Sequence, residues 1–163
     1  MDDYVDCGNP SSLNITNILT IEVWFKMLAT PSGGVGIICK DDGSIRQYSF
    51  IEQASRIAQF RIWQSDGTVK SITTVPLEVG QGYHFVGTAD GTYVRAYLDR
   101  NSFDTPVAYD GTIMNTDKIV TIGAMSSIAN FFNGLISLAL IYSRALTPQE
   151  ISDHYIIGKE MFG

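Results

Sequence analysis

The feature that most constrains this sequence is the regular alternation of apolar and other residues along several short segments. Every second residue of the segment 20–27 is apolar, namely Ile21, Val23, Phe25 and Met27. Successive side chains of a β-strand point to opposite sides of the sheet, so this period of two predicts a strand with one apolar face. The middle of the sequence nowhere repeats apolar residues at helical spacing. These patterns predict an all-β fold.

Two pairs of alternating segments are each joined by an Asp-Gly dipeptide. The pairs are 56–64 with 69–74, and 83–89 with 93–99. Asp66-Gly67 and Asp90-Gly91 tolerate the positive φ angles of a tight turn, so each pair predicts an antiparallel hairpin.

Two further segments, 119–125 and 135–143, also predict strands. The second is largely apolar on both faces, which favours a central strand that is covered on both sides. The glycine-rich stretch 32–36 predicts a loop. Many short strands with turn signals about every 8–12 residues are typical of an antiparallel sandwich of two sheets.

One short helix is predicted, at the C-terminal end. Thr147 and Glu150 have the spacing of a capping box, and Pro148 takes the first helical position, where no backbone donor is needed. Gly158 is expected to end this helix in the left-handed conformation.

Length and charge narrow the function classes. The 163 residues suit a single domain over 1–163. The 11 basic and 17 acidic residues give a net charge of −6, which disfavours nucleic acids and acidic membranes as partners. No apolar run approaches the ~18 residues of a membrane span, so no membrane insertion is expected. The first residues resemble no signal peptide, which predicts a chain used without Sec export or cut from a longer protein.

The two cysteines, Cys7 and Cys39, have neither zinc-ligand nor redox-motif spacing. The favoured interpretation is two small apolar side chains, and a single disulfide is the alternative.

Six segments occur in an order that resembles the concanavalin A-like lectin/glucanase superfamily, in its laminin-G-like (pentraxin-like) branch. The segments are 3–8 (DYVDCG), 19–26 (LTIEVWFK), 82–91 (GYHFVGTADG), 94–99 (VRAYLD), 132–136 (FNGLI) and 141–151 (IYSRALTPQEI). The resemblance extends from Asp3 to about Tyr155. It implies a jelly roll of two curved antiparallel sheets. It also implies binding of glycans or proteins, because members are often adhesive modules of larger cell-surface, secreted or phage proteins.

The resemblance also bears on metal binding. Members of this family usually carry an aspartate directly after the Phe-x-Gly-x-Ile pattern, where it commonly helps to hold a structural calcium ion. This chain has Ser137 at that position. Calcium prefers about six to eight oxygen ligands, including carboxylates, so we expect neither a metal nor any other cofactor. A weakly held ion on backbone carbonyls near Asp3 and Gly91 is the alternative.

The superfamily includes glycosidases, which need two carboxylates about 5–9.5 Å apart. Glu22 and Glu52 each lack a second acid two or four positions away, and Glu150 belongs to the helix cap. His84 is expected to be a strand histidine with a single hydrogen bond, and His154 to be solvated. The sequence therefore predicts no catalytic residues and no enzyme.

Aromatic and cationic side chains share two predicted strand faces. Arg61 and Trp63 share one face, and Tyr93, Arg95 and Tyr97 share another. If both faces lie on the concave side of one sheet, they form a groove in which sugar rings stack on the aromatics. The alternative is ordinary cross-strand packing, with arginine stems lying over the rings.

Two function classes follow from these observations. The first is a non-catalytic, lectin-like recognition or adhesion module that binds a glycan or a protein, at an extracellular or particle surface. The alternative is a structural decoration or fibre protein of a phage or virus that contacts other chains of a larger assembly. An exposed Phe131, in the segment 125–132, would belong to an interface.

Overall fold

Strands dominate the structure, a computed structural model that describes residues 3–125 and 127–162, apart from the side chains of residues 103 and 104. The strands are β1 (Val5–Asp6), β2 (Leu19–Met27), β3 (Val35–Asp41), β4 (Arg46–Glu52), β5 (Ala58–Trp63), β6 (Val69–Thr73), β7 (Gly82–Ala89), β8 (Tyr93–Leu98), β9 (Asn101–Ala108), β10 (Thr121–Ile122) and β11 (Gly134–Tyr142). A short 3-10 helix covers Ser11–Leu13, and the helix α1 covers Pro148–Phe162.

The strands form two antiparallel sheets. One has six strands in the order β1-β10-β3-β4-β5-β6, and the other has five in the order β11-β2-β7-β8-β9. The prediction of an all-β, two-sheet sandwich with one C-terminal helix is confirmed. Both predicted hairpins form, as β5–β6 and β7–β8, with φ of 84° at Gly67 and 97° at Gly91.

The core lies between the sheets and is built from the inward residues of the alternating strands. The rings of Phe50 and Phe85, one from each sheet, stack with 4.1 Å between their centroids. Phe60 also packs against the backbone of the opposite sheet, since a Cβ atom at Gly87 would lie 2.3 Å from its ring. The predicted inward face of β2 is confirmed, because Ile21, Val23, Phe25 and Met27 all belong to this core.

Strand β11 corrects the prediction of a central strand, because it is the edge of the five-stranded sheet. Its inward side chains, which include Ile136 and Ile141, pack against the core. Its outward residues Leu138 and Leu140 pair in register with residues of β2 on the side where α1 packs. Strand β11 is thus apolar on both faces although it pairs with only one other strand, β2. A register shift occurs between Ile136 and Leu138, and such bulges are common at edges, where they discourage pairing with other chains.

Helix α1 begins as predicted but ends later. The Thr147 Oγ1 atom accepts a hydrogen bond from the Glu150 N–H at 3.2 Å, and the Glu150 Oε2 atom accepts one from the Thr147 N–H at 2.8 Å. Gly158 does not end the helix, which continues to Phe162. Its role is packing, because a Cβ atom there would lie 2.6 Å from the Trp24 ring. The glycine thus lets α1 lie close against β2.

Cys39 is fully buried and Cys7 is half-buried. Burial raises the pKa of both, which suits the interpretation of small apolar side chains. Within residues 3–125 and 127–162, the helices lack the length and apolar character needed to cross a membrane.

Candidate functional site

Arg61 and Trp63 lie on the outer face of the six-stranded sheet, on β5. Trp63 is only 7% exposed. The guanidinium carbon of Arg61 lies 4.8 Å from its ring centroid and that of Arg46 lies 5.3 Å from it, both within the range of cation–π attraction. Little of the tryptophan ring is left for a ligand to stack on.

Arg61 is itself held by neighbouring strands. It donates hydrogen bonds to the Asp41 carboxylate at 2.9 Å and to the Ser49 hydroxyl at 3.1 Å. Burial lowers the pKa of Arg61, and the charge of Asp41 opposes that effect. The guanidinium is thus engaged within the sheet.

Tyr93, Arg95 and Tyr97 lie on β8, on the outer face of the other sheet. Tyr93 is 40% exposed, and the guanidinium carbon of Arg95 lies 5.1 Å from its ring centroid. Arg95 forms an ion pair with Asp90, and both residues help to line a hollow of about 330 Å³. Tyr97 is 5% exposed and packs with Ile151 of α1.

The five predicted binding residues therefore form two groups rather than one groove. Each group lies on the outer face of its own sheet, and the outer faces of a sandwich point in opposite directions. A role for either group in ligand binding stays a prediction, and the two groups would have to act separately.

A larger cavity, of about 880 Å³, lies on the side of the sandwich where β1 and β11 are the edge strands of the two sheets. It is bounded by β1 and β10 of one sheet and by β11 of the other. We name it the edge cleft. Its lining residues are Asp3, Tyr4, Val5, Ile122, Gly123, Phe131, Phe132, Asn133, Gly134, Ile136, Ser137, Leu138 and Ala139.

Two of the aromatic residues that line this cleft, Tyr4 and Phe131, form a pair. The ring centroids of Tyr4 and Phe131 are 6.2 Å apart, and Tyr4 is 40% exposed. Phe132, the next residue, is 8% exposed and belongs to the core, so it fixes the segment that carries Phe131. Tyr4 is held by the pairing of β1 with β10 and by the close passage of the chain over Gly123, where a Cβ atom would meet the Asp3 carbonyl oxygen at 3.2 Å.

Polar groups stand beside the aromatic pair. Asp3, Asn133 and Ser137 are exposed and line the cleft. Because β11 is an edge strand, the backbone N–H and C=O groups on its free side have no strand partner among the described residues. The cleft thus offers hydrogen-bond donors and acceptors next to aromatic surface.

The chain leading into Phe131 is strained. Ile128 has φ of 56° and is 38% exposed, and Asn130 has φ of 54°. The left-handed region is unusual for a β-branched residue, and such strain tends to occur at functional sites. The Asn130 carbonyl accepts a hydrogen bond from the Gly36 N–H at 3.0 Å, which ties this segment to β3.

The donor set of the cleft does not fit the calcium ion that the family would imply. Asp3 is the one carboxylate among the described lining residues, and Ser137 stands where a second would be expected. The described residues also contain no group of three or more His, Cys, Asp or Glu side chains that could hold a metal. Calcium takes about six to eight oxygens, several of them usually from carboxylates.

A buried polar cluster, which we name the Glu22 cluster, lies beneath α1. The Glu22 carboxylate is 1% exposed and lies 2.9 Å from His84 Nε2, 2.9 Å from the Tyr142 hydroxyl and 3.1 Å from His154 Nδ1. Burial alone would raise the pKa of Glu22, but the three hydrogen bonds outweigh it and the net shift is downward.

The Glu22 cluster corrects one expectation. His154 is not simply solvated, because it contacts Glu22 and its side chain is 34% exposed. His84 does make one side-chain hydrogen bond, as expected, and its ring stacks on Trp24 with 4.8 Å between centroids. The sequence gives no local sign of this cluster, since 132 positions separate His154 from Glu22. Its position beneath α1 makes it part of the packing between helix and sheet.

Comparison with known proteins identifies the family. The family model described as the concanavalin A-like lectin/glucanases superfamily matches residues 1–152. The chain belongs to this superfamily. No curated protein matches the sequence of this superfamily member.

Solved structures share the lectin-like fold at low sequence identity. The botulinum neurotoxin serotype D binding domain is 16% identical with a TM-score of 0.74, over 96% of this chain and 40% of that chain. The CBM40 of the Ruminococcus gnavus IT-sialidase, bound to α2,3-sialyllactose, is 12% identical with a TM-score of 0.71, over 88% of this chain and 85% of that chain. A Trypanosoma rangeli sialidase is 18% identical with a TM-score of 0.62, over 90% of this chain and only 24% of that chain. This superfamily member thus spans less than half of the toxin domain and about a quarter of the sialidase.

Proposed function

We propose that this chain is a non-catalytic recognition module that binds glycans in the edge cleft. The observation that carries the proposal is the combination of the Tyr4–Phe131 pair with exposed polar groups in one cavity of about 880 Å³. Ligand sites are typically concave, with apolar walls and a few polar groups that fix orientation. Sugar rings place their C–H faces on aromatic rings, while amides, hydroxyls and carboxylates bind the sugar hydroxyls.

The chemistry of the cleft favours binding over hydrolysis. Glycoside hydrolysis generally uses two carboxyl groups, one as general acid and the other as base or nucleophile. Asp3 is the single carboxylate among the described residues that line the cleft. The Glu22 carboxylate is buried among its own hydrogen-bond partners beneath α1.

The comparisons support a binding module. The similar structures include a toxin binding domain and a carbohydrate-binding module solved with a bound oligosaccharide. By analogy we place this chain at an extracellular or particle surface, where such ligands occur. The alternative of a phage or virus particle protein rests on the sequence alone, and none of the similar structures described above supports it.

A glycan array tests the proposal. We expect saturable binding by the native chain, and a loss of about tenfold or more in the Tyr4→Ala and Phe131→Ala variants, because aromatic anchors dominate such sites. Ile157→Ala is the matched control, since this side chain is 60% exposed on α1 and is not among the residues that line the cleft, so its removal should leave binding unchanged.

A Tyr93→Ala variant separates the cleft from the sequence-predicted site. Tyr93 and Tyr4 are equally exposed, at 40%, so the two substitutions remove similar surface. Glycan binding that is lost in Tyr93→Ala and kept in Tyr4→Ala would move the site to the outer face of β8. An array on which the native chain binds no saccharide would contradict the proposed function itself.

A further inference from the structure

We infer that the edge cleft selects uncharged saccharides over sialylated or other anionic ones. This inference rests on the proposed function and adds the ligand class. The structurally similar CBM40 is bound to a sialylated ligand, α2,3-sialyllactose. The charge distribution around the cleft of this chain points to a different class.

The described lining of the cleft contains no cationic side chain. Among its described residues there is no Lys, Arg or His, and the one acidic side chain is that of Asp3. Recognition of a sugar carboxylate or sulfate normally uses a charge-assisted hydrogen bond from Arg or Lys, which is shorter and stronger than a neutral one. An anionic sugar in this cleft would instead meet a like charge, and like-charge contacts across an interface disfavour the wrong partner.

The two arginines among the predicted binding residues do not line the cleft, and each already forms an ion pair with an aspartate. Arg61 is paired with Asp41 on the six-stranded sheet, and Arg95 is paired with Asp90 on the five-stranded sheet. Lys26 pairs in register with Leu135 at the end of β11, but it does not line the cleft.

The net charge of the chain acts in the same direction. With 11 basic and 17 acidic residues, the net charge is −6, and the summed field of the molecule lowers the local concentration of anionic ligands. The field alone does not choose among neutral sugars, whereas the local groups can do so.

The polar groups that line the cleft suit the hydroxyl groups of a neutral sugar. The Asp3 carboxylate accepts hydrogen bonds, the Ser137 hydroxyl and the Asn133 amide both donate and accept, and the free edge of β11 adds backbone donors and acceptors. A neutral sugar presents hydroxyls that can also donate or accept, so it can satisfy every one of these groups. An aromatic pair at the same place supplies the apolar contact.

The test compares matched pairs of oligosaccharides, each pair consisting of a neutral glycan and its sialylated form, such as lactose and α2,3-sialyllactose. Titration of the native chain should give affinities at least about tenfold higher for the neutral member of each pair that binds. The Asp3→Lys variant replaces the local anion with a cation and should reduce or reverse that ratio.

Glu160→Lys is the matched control for charge. It changes the net charge by the same amount, and Glu160 is exposed on α1 and is not among the residues that line the cleft. We expect its neutral-to-sialylated ratio to stay near that of the native chain. An equal change in both variants would attribute selectivity to the overall field and would overturn the inference that the cleft selects.

The remaining outcomes separate the two proposals. Stronger binding of the sialylated members, abolished by Tyr4→Ala, would overturn this inference while leaving glycan binding in the cleft in place. If neither member of any pair binds, the proposed function fails together with the inference. Both proposals are supported if the native chain prefers the neutral members and the neutral-to-sialylated affinity ratio decreases in Asp3→Lys but not in Glu160→Lys.

Discussion

His154 on α1 and Glu22 on β2 are in contact although 132 positions separate them, with the histidine Nδ1 atom 3.1 Å from each carboxylate oxygen. His84 and Tyr142 contact the same carboxylate from β7 and β11. One buried group therefore ties the C-terminal helix to three neighbouring strands of the five-stranded sheet. The stability of this region should depend on the charge of that group.

Replacing Glu22 with Gln should destabilise the chain and weaken its acid sensitivity. Removal of one partner from a buried charged network typically costs about 3–5 kcal/mol. The pKa of Glu22 is below its ordinary value of 4.5, so its stabilising contribution is present above that pH and is lost as the pH falls further. The free energy of unfolding, measured by urea denaturation from pH 7 to pH 3, should fall less in Glu22→Gln than in the native chain.

Other carboxylates also contribute to acid unfolding, so Asp42→Asn is a useful comparison. Backbone hydrogen bonds and Lys118 hold the pKa of Asp42 at about 2. The contribution of Asp42 to stability should be lost at a lower pH than that of a carboxylate with an ordinary pKa. In Asp42→Asn, α1 should stay packed on the sheet. Equal acid profiles for Glu22→Gln and the native chain would contradict the role of Glu22.

The contribution of Glu52 to stability should depend on pH in the opposite sense to that of Glu22. Its side chain is 1% exposed, its Oε1 atom has no hydrogen-bond partner among the described residues, and burial raises its pKa to about 7. Because the folded state holds this proton more tightly than the unfolded state, the contribution of Glu52 to stability falls as the pH rises from about 4.5 to 7. Glu52→Gln should therefore be more stable than the native chain at pH 8, by on the order of 1–3 kcal/mol, with little difference at pH 4.5.

Thermal or urea unfolding of both proteins at the two pH values checks this prediction. Glu78→Gln is the control, because the Glu78 side chain is 75% exposed and its removal should give no comparable gain. A Glu52→Gln variant that is less stable than the native chain at pH 8 would show that the carboxylate has a partner it needs.

Replacing Gly158 with Ala should destabilise the chain, although alanine is the better helix former. Alanine raises helix propensity by about 1 kcal/mol, but its Cβ atom would lie 2.6 Å from the Trp24 ring. Overpacking of this kind typically costs about 1–3 kcal/mol, so we expect a net loss of stability and a change in tryptophan fluorescence. Ile157→Ala, one position earlier on an exposed part of the helix, should change the unfolding free energy by less than about 0.5 kcal/mol.

Calcium should not stabilise this chain, since Asp3 is the one carboxylate among the described residues that line the cleft. A ligand that binds only the folded state stabilises it by RT ln(1 + [L]/Kd) and so raises the melting temperature. We expect the same melting temperature in millimolar calcium chloride and in EDTA. A calcium-dependent rise that disappears in Asp3→Ala would place an ion in the cleft and contradict the prediction.

Alternating apolar residues predicted β2, β5, β6, β7 and β8, but β4 was missed although its Tyr48 and Phe50 alternate on the core side. They did not predict β3, in which Ile37, Ile38 and Cys39 are all fully buried, so the alternation on which such predictions depend is missing. They also missed β9, an edge strand that contains Pro106, and edges are where proline is tolerated in a sheet. The capping box of α1 was predicted because all of its members are local.

The candidate site could not be predicted in the same way. The edge cleft depends on two sheets ending side by side, and its Tyr4 and Ser137 are 133 positions apart in the sequence. An exposed Phe131 was predicted to belong to an interface, but nothing in the sequence pairs it with Tyr4. Likewise, the opposite orientations of Arg61 and Arg95 follow from the assignment of their strands to different sheets.

The position of Tyr4 has a practical consequence for measuring any ligand. Because β1 forms one wall of the cleft, an affinity tag or fusion partner attached ahead of Asp3 would stand at its mouth and could compete with a sugar. Immobilisation through an exposed residue that does not line the cleft would leave that mouth open to solvent. A negative result obtained with an N-terminal fusion should therefore be repeated with the other attachment before binding is dismissed.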